Sequence, residues 1–194
     1  MQPSPRIYRI TTHRADSCLR QGEILSDLIQ FRLDVATLGA EAPTASPYRH
    51  PFALLLTQDC DLEQDFFARS GTIALDKQLP NLLFCEVARA QELYDRIRQT
   101  NRKLWDRIKI NKDERYHYLQ KVEPSCDTLF EGLPELGVDF KKYFTVPTDE
   151  VYRRVEIGEA KRRSLIVSPY LEHLSSRFAY FLSRVALPQD HLSE

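Results

Sequence analysis

The chain has 194 residues, of which 42% are hydrophobic, and a formal net charge of −1. This length and apolar content suit one domain with a sizeable core. The near-neutral charge argues against a protein whose entire surface binds nucleic acid, although it is compatible with a local basic patch. No apolar run approaches the roughly 20 residues of a membrane span, so the sequence predicts no membrane association.

The cysteines predict a reducing compartment. None of the four belongs to a C-x-x-C pair, so no zinc knuckle is expected. Residues 1–20 are polar and contain Pro3 and Pro5, unlike a secretory signal peptide. We therefore expect a cytoplasmic protein with reduced thiols. The five histidines show no metal-ligand spacing, and the six glycines form no phosphate-binding loop.

The first half of the chain predicts strands separated by loops. Alternation of polar and apolar residues, or a short apolar run, predicts strands at 6–10, 22–33, 52–58 and 82–88. Residues 39–51 contain three prolines and predict a long loop. Residues 64–79 are expected to be irregular or to form a short helical turn.

The second half predicts two helices. An apolar stripe at helical spacing, interrupted near Thr100 and Asn101, predicts a helix at about 91–110. Ser168 as the N-cap and Pro169 at the first helical position predict a second helix at 168–185, with a stripe that includes Leu174 and Phe178. Three further strands are predicted at 116–122, 138–146 and 151–157.

The acidic stretch after the strand at 52–58 is a candidate site. Asp59, Asp61, Glu63 and Asp65 place four carboxylates within seven residues, and such close anions repel one another unless something compensates them. Asp59 and Asp61 would suit a divalent metal ion, and Cys60 or His50 would favour a softer one. The alternative is that the carboxylates cap the next helical turn. Cys60 is either a nucleophile or, because nearby carboxylates disfavour its thiolate, a small, buried, inert side chain.

A second candidate site is basic. Residues 89–115 contain nine basic residues against five acids, with aromatic residues among them. Cations mixed with aromatic rings are typical of phosphate contacts combined with base stacking. The candidate nucleic-acid-binding residues are Arg98, Arg102, Lys103, Trp105 and Arg107. The alternative is a helix face that simply contacts water.

Part of the chain resembles a known family. Residues 21–25 (Gln-Gly-Glu-Ile-Leu), a proline-rich loop and residues 50–57 (His-Pro-Phe-Ala-Leu-Leu-Leu-Thr) follow the order seen at the start of MazF/PemK-type toxins. Those toxins begin with a Gly-Asp-Ile/Leu strand, a long loop and then Arg-Pro-Ala-Val-Val-Leu-Ser. Residues 21–90 therefore resemble this family, which has an SH3-like β-barrel, cuts RNA without metal and is neutralised by an antitoxin.

The resemblance has departures. The toxin's catalytic arginine before the proline aligns with His50, with Arg49 adjacent, and the toxin's later threonine has no match near 87–89. The chain also has two added helices. Residues 57–62 (Thr-Gln-Asp-Cys-Asp-Leu) resemble another group of bacterial proteins, which carry an S/T-Q-D/T-C-D-L/I turn and have no established function. The resemblance thus supports a barrel more than it supports a ribonuclease.

The combined prediction is a single α+β domain. We expect a small, strongly bent, mostly antiparallel SH3-like barrel, with its core at about 6–88 and 115–166 and added helices at 91–110 and 168–185. The expected function is binding of nucleic acid or a protein partner, with at most weak cleavage at Arg49 and His50.

Two alternatives remain. The first is a metal-dependent enzyme centred on 57–65, with Asp59, Cys60 and Asp61 as its candidate catalytic residues. The second is a structural module whose last helix docks a partner or forms a homo-oligomer.

Overall fold

The computed structural model describes residues 7–9, 17–71, 74–98 and 102–184. Within these ranges the protein is α+β, with seven strands in one antiparallel sheet and five α-helices. The strands are β1 (Tyr8–Arg9), β2 (Glu23–Leu33), β3 (Ala45–Leu55), β4 (Asn81–Arg89), β5 (Tyr116–Leu119), β6 (Leu136–Pro147) and β7 (Lys161–Ile166). The helices are α1 (Asp59–Arg69), α2 (Ala90–Arg98), α3 (Arg102–Lys109), α4 (Thr148–Glu156) and α5 (Tyr170–Ser183).

The sheet is open rather than closed. Its strand order is β1-β7-β2-β3-β4-β6-β5, which leaves β1 and β5 at opposite edges. The α+β class and the mostly antiparallel pairing are confirmed, but the sheet does not close into a barrel, so the expected SH3-like barrel is not confirmed. In the part of the chain that the structure describes, no helix is long and apolar enough to cross a membrane.

The long β2–β3 hairpin corrects the predicted loop at 39–51. Strand β3 begins at Ala45 and includes Pro47, which lies opposite Phe31 of β2. Proline is tolerated there because β4 pairs with β3 only from Phe52 to Leu55, so the outer part of β3 needs no donor on that side. Sequence reasoning mistook this proline-containing edge segment for a loop.

Two helices replace elements that were predicted differently. The acidic stretch begins α1, where an irregular segment or a short turn was expected. The segment predicted as a strand at 151–157 belongs instead to α4, because Val151 and Val155 are one helical turn apart and are both buried. The strand β7 that follows was not predicted.

Helices cover both faces of the sheet. One face, with Leu54, Val87 and Phe140, packs against Leu174 and Phe178 of α5. The other face, with Leu55 and Phe84 among its residues, packs against α1 and α4. Leu174 and Phe178 of the predicted stripe are therefore used inside the protein, whereas Leu182 is exposed; Val185 lies outside the described residues. Docking of a partner by this helix stays a prediction.

Buried ion pairs connect β7 to the rest of the fold. Arg162 pairs with Glu23 of β2, and the Arg162 and Glu23 side chains are 4% and 0% exposed. Arg163 pairs with Asp127 at 2.7 Å, with exposures of 8% and 0%. Hydrogen bonds from Arg163 and from backbone amides lower the pKa of Asp127 although burial alone would raise it. These arginines compensate carboxylates that the fold removes from water.

Candidate nucleic-acid interface

The two helices that follow β4 form a separate layer at the β5 side of the sheet. Leu93 and Ile97 of α2 and Ile108 of α3 are buried in one cluster with Tyr116 of β5. Helix α2 approaches β6 closely because Gly137 has no side chain, and a Cβ there would lie 2.5 Å from Cδ2 of Leu93. These contacts fix the outer faces of both helices relative to the sheet.

The segment after α3 ties this layer to β5. Asn111 has a positive φ of 55°, which ends the helix in a left-handed turn. Its amide Nδ2 donates to the carbonyl of Tyr118 at 3.1 Å, and its Oδ1 accepts from the backbone N–H of Tyr118 at 2.6 Å. The side chain therefore substitutes for a strand partner on β5.

An aromatic pair lies on the outer side of this layer. The rings of Tyr94 and Trp105 have their centroids 5.3 Å apart, and Trp105 also contacts the ring of Tyr118 at 6.3 Å. Tyr94 and Trp105 are both only half-buried. They line a hollow of about 380 Å³, to which Arg89 and Lys109 add positive charge. A partly exposed aromatic ring beside cations is suited to stacking a nucleobase next to a phosphate.

The cations around this hollow have few acidic partners. We call the outer faces of α2 and α3, together with Arg89 and Lys112, the α2–α3 surface. Within the described ranges, no ion pair is formed by its exposed residues Arg89, Arg96, Arg98, Lys103, Arg107 and Lys112. Lys109 lies 3.8 Å from Asp106. The guanidinium of Arg98 lies 5.7 Å from the ring centre of Tyr94, where it forms a cation–π contact.

Most of the predicted nucleic-acid-binding residues lie on this surface. Arg98 is on α2, and Lys103, Trp105 and Arg107 are on α3. Arg102 begins α3, but its side chain lies outside the described part of the structure, as does the predicted interruption near Thr100 and Asn101.

Among the other residues that line the hollow, Arg89, Tyr94 and Lys109 were missing from the predicted site. They belong to the same basic, aromatic segment of the sequence. The spacing of residues along the chain did not reveal which rings would meet.

The side chains of the predicted catalytic pair, Arg49 and His50, lie in different surroundings in the structure. Arg49 is exposed and pairs with Asp27 at 2.9 Å. His50 is 1% exposed, and its ring stacks on Phe144 with centroids 3.9 Å apart. Burial lowers the pKa of His50 to about 4, so the ring is neutral at neutral pH. This arrangement gives the pair no shared access to a substrate.

The acidic residues of the predicted metal site also have different partners and different burial. Asp59 accepts two hydrogen bonds from the Arg20 guanidinium, at 3.1 and 3.0 Å, and one from the backbone N–H of Gln21 at 2.7 Å. Asp65 is buried against Arg69, whereas Asp61 is exposed. Among the residues described, no group of three or more His, Cys, Asp or Glu side chains could hold a metal ion.

Cys60 is exposed on the first turn of α1, which corrects the expectation of a buried, inert side chain. The carboxylates beside it begin the helix, where negative charge is favourable. Asp59 additionally joins α1 to the segment before β2. The acidic stretch is thus explained by its structural contacts.

No protein-family model matches the chain, and no curated protein matches it either. The resemblance to the MazF/PemK-type toxins therefore stays a prediction.

Proposed function

We propose that the protein binds single-stranded nucleic acid through the α2–α3 surface. The proposal depends on one observation: an accessible pair of rings, Tyr94 and Trp105, lies in a hollow bordered by cations. Bases stack on such rings with little sequence preference, and each stacked base contributes about 1–3 kcal/mol. The cations contact the backbone phosphates and release counterions.

The charge distribution supports this location. Residues 89–112 carry eight basic residues against three acids, although the whole chain has a net charge of −1. Positive charge is therefore concentrated on this layer. Because its cations are exposed and mostly without acidic partners, they are available to phosphates without first breaking ion pairs.

Trp105 gives a direct test, since it is the only tryptophan of the chain. Its fluorescence should be quenched when a single strand of about 12 nucleotides is added, because a base stacks in its hollow. Duplex of the same sequence should quench it less, since paired bases are not free to stack. Absence of any fluorescence change and of any retardation of the oligonucleotide would contradict the proposal.

A charge variant tests the phosphate contacts. Replacing Arg98 and Arg107 together with alanine should weaken binding and reduce the slope of log K against log salt by about 1.4, since each of the two lost contacts contributes about 0.7 for a single strand. Arg153→Ala is a matched control, because Arg153 is an exposed arginine on α4 that already pairs with Glu156 at 2.7 Å. Equal salt slopes for the wild type and the double variant would show that the strand binds elsewhere.

A further inference from the structure

A larger cleft adjoins the α2–α3 surface. It has a volume of about 750 Å³, and its lining includes Tyr48 and Phe52 of β3, the cations Arg89, Arg96 and Lys142, and the carboxylates Asp27, Glu86, Glu92 and Asp95. This volume is within the range of small-ligand sites. Arg89 lines both this cleft and the hollow of Tyr94 and Trp105. A strand stacked in the hollow, with a phosphate at Arg89, would therefore continue into the cleft.

Glu86 has one carboxylate oxygen without a donor. Its Oε1 accepts a hydrogen bond from Nζ of Lys142 at 2.6 Å. Its Oε2 lies 4.0 Å from Nδ1 of His50, which is too long for a hydrogen bond. Among the residues that the structure describes, nothing else donates to Oε2.

The tautomer of His50 explains why its ring donates no hydrogen bond to Oε2 of Glu86. Nε of Arg32 donates to Oε1 of Gln30 at 3.2 Å, so this oxygen is an acceptor. Nε2 of His50 lies 3.3 Å from the same oxygen and must carry the proton. Nδ1 of the neutral ring is then a bare acceptor, and it is buried without a partner. Two acceptors thus face each other beside the cleft.

This oxygen belongs to a side chain that is 17% exposed and lines the cleft, so it can accept a hydrogen bond from an N–H or O–H donor bound there. An exocyclic amino group of a nucleobase is a donor of this kind, as when a carboxylate accepts from N4 of cytosine. Uracil and thymine place a carbonyl oxygen at the same position, which a carboxylate repels. We propose that the cleft binds a neighbouring base of the strand and that Glu86 selects bases with an exocyclic amino group. This inference rests on the proposed function.

The test compares two oligonucleotides that differ in one functional group. Oligodeoxycytidine and oligodeoxyuridine of about eight nucleotides have the same backbone, and their affinities are measured by fluorescence anisotropy. The wild-type protein should bind oligodeoxycytidine about tenfold more tightly, the effect of one hydrogen bond to a charged group. Equal affinities would overturn the inference while leaving the proposed function standing. Failure to bind either oligonucleotide would overturn both.

Glu86→Gln identifies the residue responsible. The glutamine keeps the shape of the side chain, and its amide can donate to Nδ1 of His50 while its oxygen faces Lys142, so no acceptor remains for the base. The ratio of the two affinities should then fall towards one, with an unchanged circular dichroism spectrum. Glu172→Gln removes the same charge from an exposed position on α5, which does not line the cleft, and should keep the ratio of the two affinities. An unchanged ratio in Glu86→Gln, or an equal fall in both variants, would overturn the inference.

Discussion

The arginines of the sheet and those of the α2–α3 surface have the same side chain in opposite surroundings. Arg162 and Arg163 of β7 are buried and paired with Glu23 and Asp127. Arg98 and Arg107 are exposed and form no ion pair within the described ranges. The first group is needed for the fold, because a buried carboxylate without its partner is costly. The second group compensates no buried carboxylate, which is why the proposed function assigns it to a partner.

The largest effect on stability is expected from breaking a buried pair. Arg162→Leu leaves Glu23 charged and without its guanidinium inside the protein, and should lower the free energy of unfolding by about 4 kcal/mol. Urea denaturation followed by circular dichroism measures this loss. Arg153→Leu, at an exposed ion pair, is the control and should change stability by less than about 1 kcal/mol. Similar losses in both variants would remove the distinction between the two groups of arginines.

A smaller loss of stability per titrating group should follow when the pH is lowered. Burial lowers the pKa of His50 to about 4 and that of His117 to about 3, with Arg177 and His173 also lowering the pKa of His117. The unfolded chain therefore takes up protons that the folded protein does not. Stability is highest above the unfolded pKa of about 6.5 and declines as the pH falls towards these lower values.

At about pH 5 each of the two histidines should cost about 2 kcal/mol relative to pH 7, measured by urea denaturation at both values. The variant His117→Phe keeps a ring against Phe140 and should lose less stability between these pH values. A stability that stays constant over this range, or an unchanged loss in the variant, would show that these rings are protonated in the folded protein.

A still smaller effect on stability is expected from a substitution at the contact between α2 and the sheet. Gly137→Ala places a methyl group 2.5 Å from Cδ2 of Leu93, the end of a flexible side chain. The leucine must move, which should cost about 1–2 kcal/mol. Hydrogen exchange should become faster in α2 and remain unchanged in α5. Uniform changes across both helices would mean that α2 does not move separately from the sheet.

The sequence predicted the elements whose pattern is local. β4 was found because it is a short apolar run, and α5 was found from its stripe of Leu174 and Phe178. α4 was missed because its nine residues have only two buried valines to indicate helical spacing. Its charges, with Asp149 in the first turn and Arg153 in the last, were a usable signal, since they match the helix dipole.

The candidate site was only partly predictable. The basic composition of the segment and Trp105 are visible in the sequence, and they indicated the layer of the fold to which the proposed function is assigned. The burial of His50 was not predictable, because it depends on Phe144 of β6, which is distant along the chain. The meeting of Tyr94 with Trp105 likewise depends on how two separate helices pack, and no local pattern specifies that contact.

The smallest effect on stability is expected at the α2–α3 surface itself. Replacing both Arg98 and Arg107 with alanine removes no ion pair. It removes only the exposed contact of Arg98 with the Tyr94 ring and the exposed hydrogen bond from Arg107 to the carbonyl of Lys112. Because alanine favours helices, the free energy of unfolding should change by less than about 1 kcal/mol. The same variant should bind single strands more weakly and with a lower salt dependence. A loss of binding without a loss of stability would separate the role of these cations from that of Arg162. A loss of stability comparable to that of Arg162→Leu would instead make them part of the fold and remove the main argument for a partner here.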